Sequence, residues 1–299
     1  MRHLHSRKAE NSLNYALVMS VRLVLVTDIH LGPNTGNVYG DRALEFFDEF
    51  SKAAADARPE LVVDLGDRLT EINRETDMEN LINLAQRFRS LPCQRKHLIG
   101  NHDLLPKALQ ETILETNLSS HAIDFAGWQL VFLESFDGTI GGAISNETVT
   151  WLETVLQASA APAVIFSHQP LHGLPMTGNP YFESDYAEHA CAKNAARVRE
   201  VLERANTGRP GKVRLCLNGH AHWMDSCTIG SIPFVTVPSL SESIMTDGVP
   251  ARAWATLDLK ADTIRLDVHG VKPVTLEFSA SKPHRTLAGT AREIGRAHV

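Results

Sequence analysis

The chain is poor in cysteine and has neither long apolar runs nor basic clusters. Its four cysteines are Cys93, Cys191, Cys216 and Cys227. No two form a C-x-x-C pair, which argues against a thiolate zinc site. They read as four reduced thiols in a cytosolic protein, with two disulfides in an exported protein as the minority reading. Cys216 falls in an apolar run and reads as a core residue. No apolar stretch approaches the ~20 residues a membrane helix needs, so no membrane partner is expected. The N-terminal MRHLHSRKAENSLNYALVMS has basic residues but only a short apolar patch, Tyr15 to Met19, and lacks a signal-peptide core. A cytoplasmic protein is therefore expected. The 29 Lys and Arg are outnumbered by 35 Asp and Glu, a net charge of −6, and no Lys or Arg run stands in the body. Duplex nucleic acid calls for a basic footprint, so nucleic acid is not the favoured partner.

What is present is ordinary globular material. Of the 299 residues 43% are apolar and 21% charged, enough apolar surface to offset the ordering entropy of the chain. Disorder throughout, a collagenous chain and a coiled coil are excluded. No internal repeat or linker divides the body, which reads as one α/β domain over residues 20–277. Residues 1–19 read as an extension outside the fold. Residues 278–299 are polar and basic, a tail that is disordered or packs on a partner subunit.

Within the body, strands and helices alternate. Val21 to Val26, Leu61 to Leu65, Lys96 to Ile99, Ala163 to Phe166 and Val213 to Leu217 read as strands, most of them short apolar runs. Leu44, Phe47, Phe50 and Ala54 recur at helical spacing with Asp41 as a cap. A second helix is marked by Met78, Leu81, Ile82, Ala85 and Phe88, starting at Thr76 or Asp77. A weak helix spans Lys107 to Glu115, and His121 to Phe125 with Trp128 to Glu134 read as a hairpin. Further helices cover Asn146 to Gln157 and the stripe Cys191, Ala195, Val198 and Leu202. After Trp223 the pattern is β: Ile232 to Val237, Ala253 to Leu259 and Thr263 to Val268.

Five strands end alike, each followed within a few residues by metal-competent side chains. They are TDIH (Asp28, His30), LGDR (Asp67), IGNHD (Asn101, His102, Asp103), FSHQP (His168) and LNGHAH (His220, His222). Taken singly, each is weak: a lone Gly-Asp is usually a turn, and a lone histidine usually a hydrogen-bonded residue. Together they matter, because sheets of this class gather ligands at the carboxyl ends of strands.

The ordered set D-x-H, G-D, G-N-H-D, H, G-H-x-H resembles the calcineurin-like metallophosphoesterase family, over residues 20 to 222. It is most similar to the subgroup of class III cyclic-nucleotide phosphodiesterases. The resemblance implies a two-sheet αββα sandwich with a dinuclear metal site on one rim. It implies that Asp28, His30 and His222 hold one metal, that Asn101, His168 and His220 hold the other, and that Asp67 bridges both. The implied reaction is hydrolysis of a small phosphodiester, a cyclic nucleotide or similar, by in-line attack of a metal-bridging hydroxide. His102 would serve the leaving group as a catalytic residue. Asp103, counted with it as catalytic, has two readings: a carboxylate orienting the His102 imidazole, or a cap or loop hydrogen bond. Imidazole and carboxylate without thiolate suit two divalent or trivalent ions of Mn, Fe or Zn.

This sequence departs from the subgroup at Gln169-Pro170-Leu171, which leaves the ligand role of His168 but not the substrate subgroup. Arg68, after the bridging Asp67, reads as a structural ion pair or as a contact to substrate phosphate. His172 reads as a loop residue bonded to backbone, with the site rim as the alternative. The long segment Gly173 to His189 reads as a roof over the cleft. Its aromatics Tyr181, Phe182 and Tyr186 read as loop anchors first and as a stacking surface second. A phosphomonoesterase or nucleotidase is the alternative function, then a nuclease or a non-catalytic scaffold. Homodimerisation through the C-terminal β-region is a further expectation.

Overall fold

Alternation along each strand decides which face meets which layer. In β1 (Val21–Val26) Leu23 and Leu25 join one apolar cluster while Val24 and Val26 join another. The same division runs through β5 (Trp128–Leu133): Leu130 and Phe132 face the first cluster, and Val131 and Leu133 a third. In β6 (Ala163–Ser167), Val164 and Phe166 face inward and Ala163 and Ile165 outward. The first cluster lies between two sheets, and the other two lie between a sheet and its helices. The result is the expected αββα sandwich. The computed structural model describes residues 20–184, 186–279 and, for the backbone alone, 282–286.

The first sheet contains β1, β2 (Leu61–Asp64), β3 (Gln94–His97), β10 (Trp254–Leu259), β11 (Thr263–His269), β12 (Val274–Ser279) and β13 (Lys282–Thr286). Its order is β13-β12-β11-β10-β1-β2-β3. The second contains β4 (His121–Phe125), β5, β6, β7 (Val213–Asn218), β8 (Asp225–Ile229) and β9 (Ile232–Thr236), in the order β4-β5-β6-β7-β9-β8. α1 (Ala43–Ala57), α2 (Arg74–Ser90) and α3 (Lys107–Leu114) cover the first sheet. α4 (Asn146–Ala158) and α5 (Ala195–Gly208) cover the second. Within the two sheets, β1-β2-β3 and β5-β6-β7-β9 are parallel, so their carboxyl ends share an edge in each.

Several local expectations shift. Asp41 lies in a 3-10 turn ahead of α1, whose N-cap position is Arg42. Helix α2 starts earlier than Thr76: Asn73 caps it by accepting from the Thr76 N–H at 3.0 Å. Strand β3 sits two residues before Lys96–Ile99, and the polar β8 was not foreseen. Past residue 277, β12 continues to Ser279 and β13 pairs beside it, so the sheet runs on into the segment read as a tail. The expectations for residues 1–19 and for the end of the tail lie outside the described residues. Among the described residues no helix is long and apolar enough to cross a membrane.

Candidate metal centre

The ligand-bearing turns follow β1, β2, β6 and β7 directly and β3 after a short extended stretch, and the backbone ties them together. The Asp28 N–H donates to the Gly66 carbonyl, His30 N–H to the Asp67 carbonyl, and Gly219 N–H to the His168 carbonyl, at 2.9, 3.1 and 3.1 Å. The backbone is left-handed at five of the seven expected ligands: Asp28 (φ 49°), His30 (52°), Asp67 (55°), His220 (68°) and His222 (62°). They are half of the ten non-glycine residues with positive φ among the described residues. Such conformations cost on the order of 1–3 kcal/mol each and persist where the surroundings over-determine them. Glycines allow the close approach. A Cβ on Gly100 would collide with the Asp67 carboxylate, and one on Gly219 with Thr27 and Asp28.

Seven side chains converge. Asp28, His30, Asp67 and His222 form one group of donor atoms within 4.8 Å of one another, and Asp67, His168 and His220 form a second. Asp67 belongs to both, as a bridging carboxylate must. Asn101 joins the second group, with Oδ1 2.8 Å from His220 Nδ1 and 3.2 Å from His168 Nε2. The His30 and His222 Nε2 atoms face each other at 3.0 Å, and His222 Nε2 lies 3.5 Å from Asp28 Oδ1. All are buried except Asn101 and His222, which keep partial exposure.

The far nitrogens of the imidazoles fix the protons, and this tests whether a cation fits. His168 Nδ1–H donates to the Leu65 carbonyl at 2.9 Å, so its Nε2 meets Asp67 Oδ2 at 3.1 Å. His220 Nε2–H donates to the His189 carbonyl at 2.9 Å, so its Nδ1 faces Asn101 Oδ1. His222 Nδ1–H donates to Glu242 at 3.2 Å. A neutral imidazole has one N–H, so each inward nitrogen offers a lone pair, and those of His168 and His220 point at oxygen lone pairs. Cations between them turn those repulsions into coordination, and outer partners of this kind set tautomer and orientation in metal sites. The donor set fits two metal ions.

The electrostatics agree. Burial pushes His168 down, but the Asp67 carboxylate outweighs it and lifts His168 to about 9. Burial, then the neighbouring His168, pushes His220 to about 3. Burial raises Asp67, yet His168, then His102 and His30, bring it well below the usual carboxylate range. Buried carboxylates thus draw positive charge inward, and a metal ion competes with protons for that place.

His102 is placed beside the metal groups. Its backbone N–H donates to Asp67 Oδ1 at 2.8 Å, and its ring stands 5.0 Å from that of His30. Asp103 does not orient it. The Asp103 carboxylate accepts from the N–H groups of Asp67, Arg68 and Gly100, each at 3.0 Å, and pairs with the Arg68 guanidinium at 3.0 Å. This corrects the catalytic reading: Asp103 shapes the turn carrying Asp67. The partner of His102 is Glu71, whose Oε2 accepts from Nδ1–H at 2.7 Å. Sequence reasoning missed Glu71 and Glu242, which sit in no strand-end motif.

Arg68 is fully buried, paired with Asp64 at 2.8 Å and with Asp103, so it is structural. His172 accepts the Leu174 N–H and belongs to neither metal group. The 173–189 segment packs a small cluster of Met176, Phe182, Ala190 and Ala221. Phe182 lies against the His220 ring at 4.9 Å, and the Tyr181 hydroxyl donates to Glu242 at 2.7 Å. Both are anchors that brace metal-side histidines, while Tyr186 is exposed.

No protein-family model matches the sequence, and no curated protein matches it. Solved structures do. A dimetal phosphatase from Danio rerio superposes with a TM-score of 0.70 at 18% identity, over 87% of this chain and 99% of that one. Purple acid phosphatase PPD1 from yellow lupin seeds gives 0.58 at 14%, over 90% of this chain and 57% of that one. GAP50, the anchor in the inner membrane complex of Plasmodium, gives 0.58 at 13%, over 88% and 90%. At such identities the likeness establishes the architecture.

Proposed function

We propose that this chain, whose fold is that of the calcineurin-like metallophosphoesterases, is a metal-dependent hydrolase of a small phosphodiester. The observation that carries this reading is the sharing of Asp67 between two groups of convergent donors whose outer hydrogen bonds are already in place. A fold shared with an anchor protein does not decide between catalysis and scaffolding. The complete donor set favours catalysis.

Asp28, His30 and His222 would hold one metal, Asn101, His168 and His220 the other, and Asp67 both. When bound, such a pair supplies Lewis-acid polarisation of a phosphoryl oxygen and a water acidic enough to act as nucleophile near neutral pH. Mn, Fe and Zn all suit these donors. His102 supplies the proton. With Nδ1–H held by Glu71 at 2.7 Å, its Nε2 is left to protonate the leaving oxygen. Glu71 fixes the ring and stabilises the imidazolium before the transfer.

A diester is placed ahead of a monoester on the resemblance of the ordered strand-end motifs to the phosphodiesterase subgroup. Stripping the metal, reloading Mn²⁺ and comparing an aryl phosphodiester with an aryl phosphomonoester tests the reading. Faster diester turnover is expected. Faster monoester turnover would replace the diesterase by a phosphatase or nucleotidase, and no turnover with two metals bound would leave a scaffold.

A further inference from the structure

The G-H-x-H turn supplies one expected ligand to each metal group, His220 and His222, and both take a left-handed backbone. Two such residues so close together persist where neighbours hold them. Part of that hold comes from the 173–189 segment. The Asn179 side chain is fully buried, and its Nδ2 donates at 3.0 Å to the carbonyl of Ala221, the residue between the two histidines. Its Oδ1 accepts from the N–H groups of Tyr181 and Phe182, at 2.9 and 3.1 Å. One amide therefore ties the segment to the turn at the point where these two aromatic residues begin. The Phe182 ring lies 4.9 Å from that of His220, and the Tyr181 ring stands edge-on 5.8 Å from that of His222.

Tyr181 also reaches His222 by hydrogen bonds. An ionised carboxylate offers about four lone-pair positions, and at buried Glu242 four donors occupy them. Oε1 accepts the N–H groups of Ser243 and Ile244, both at 2.8 Å. Oε2 accepts the Tyr181 hydroxyl at 2.7 Å and His222 Nδ1–H at 3.2 Å. The backbone pair fixes one oxygen and the phenol fixes the other. Glu242 is thereby kept on the imidazole, with no lone pair left over for a cation. While Nδ1 carries the ring proton, Nε2 carries a lone pair, and Nε2 is the nitrogen that faces His30 at 3.0 Å.

We infer that Tyr181 is a positioning residue of the metal centre: through Glu242 it keeps the His222 proton on Nδ1 and leaves Nε2 free for the ion shared with Asp28, His30 and Asp67. The inference rests on the dinuclear-metal reading. It extends the centre to a residue of the 173–189 segment, which itself supplies no ligand.

The test titrates the metal-free full chain with Mn²⁺ and follows the free ion by its electron paramagnetic resonance signal. Outer partners of metal-bound histidines are worth about 10–100-fold in affinity. Tyr181→Phe keeps the ring and removes the donor, so one of the two Mn²⁺ ions should bind about tenfold more weakly. Glu242→Gln keeps an oxygen for Ser243 and Ile244 but sets an amide N–H against His222 Nδ1. That drives the ring proton to Nε2, and the loss should reach about 10–100-fold. Because Tyr181 acts through Glu242, the double variant Y181F/E242Q should bind no worse than E242Q alone, within about twofold. Wild-type affinity in either single variant would overturn the inference, as would losses that multiply in the double variant. So would a Tyr181→Phe protein whose metal-free form is less stable in denaturant while its Mn²⁺ affinity is unchanged, since the phenol would then only anchor the loop. None of these readings needs turnover. Tyr181-dependent Mn²⁺ binding in a protein that cleaves no ester would sink the hydrolase reading and leave this inference standing; ester cleavage with Tyr181-independent binding would do the reverse.

Discussion

Glu71 and Glu242 do the same work for two different histidines: each accepts the Nδ1–H of a ring, His102 or His222, and leaves the other nitrogen free. Removing the first tests a catalytic arrangement without touching a ligand. His102→Ala should keep two metals by elemental analysis and lose about 10²–10⁴-fold in turnover of a poor leaving group. The loss should be much smaller for 4-nitrophenolate, which needs little protonation. Glu71→Gln should show the same leaving-group dependence at smaller size, and metal lost from His102→Ala would place that residue among the ligands. Asp103 predicts something different. Asp103→Ala strands three backbone N–H groups and unbalances buried Arg68, and should cost about 3 kcal/mol or more of stability in a denaturant titration. At this scale the ligands were legible because each follows a strand in a short motif. Glu71 was not, since it lies 31 residues from His102 in sequence, and neither was Glu242, 20 from His222. Only the folded chain brings such pairs together. Local pattern could not settle Asp103 either: a carboxylate next to a histidine reads as its partner until the backbone shows it turned toward Gly100 and Asp67.

Elements with strong apolar content were the readable ones. β1, β5, β6 and β7 each carry runs whose two faces meet separate clusters, and they fall within a residue or so of expectation. The edge strands were harder. β3 reads QRKH and β8 reads DSCTI, so neither carries the apolar run that announces a strand. Pairing to a neighbour makes them strands, and pairing is not written in their own residues. The turns after the strands are the demanding pieces. Gly100→Ala would drive a methyl group into the Asp67 carboxylate, so Asp67 must leave its position shared between the two donor groups. Bound metal should drop from two equivalents to one or fewer while the circular dichroism spectrum keeps its shape. Unchanged stoichiometry would show that the turn has more slack than its geometry indicates.

For the molecule as a whole, the residues themselves read as one α/β domain with ligands gathered at the carboxyl ends of strands, while the two-sheet sandwich was legible only through the family resemblance of the ordered motifs. The closing of the layers was less so. Lys212, buried where α5 meets β7, donates to Gln129 Oε1 at 2.7 Å and to the Ala161 carbonyl at 2.6 Å, joining the base of three strands. Burial lowers its pKa to about 8, with Arg209 adding to the effect. The folded-state value lies below the unfolded one, so between about pH 8 and 10.5 the unfolded chain binds more protons and this residue makes stability rise with pH. Lys212→Met should remove that contribution, read as the difference between two profiles of stability against pH; parallel profiles would place the ammonium in water. One contact reaches further than its size. The His189 carbonyl ends the 173–189 segment and accepts from His220, so the residues that would hold a second ion and that segment share a tether. Occupancy at one should be felt as slackness in the other, and a protease cutting near Tyr186 would then report the ion count before any ester is added: slow nicking when Mn²⁺ is saturating, faster nicking after chelation.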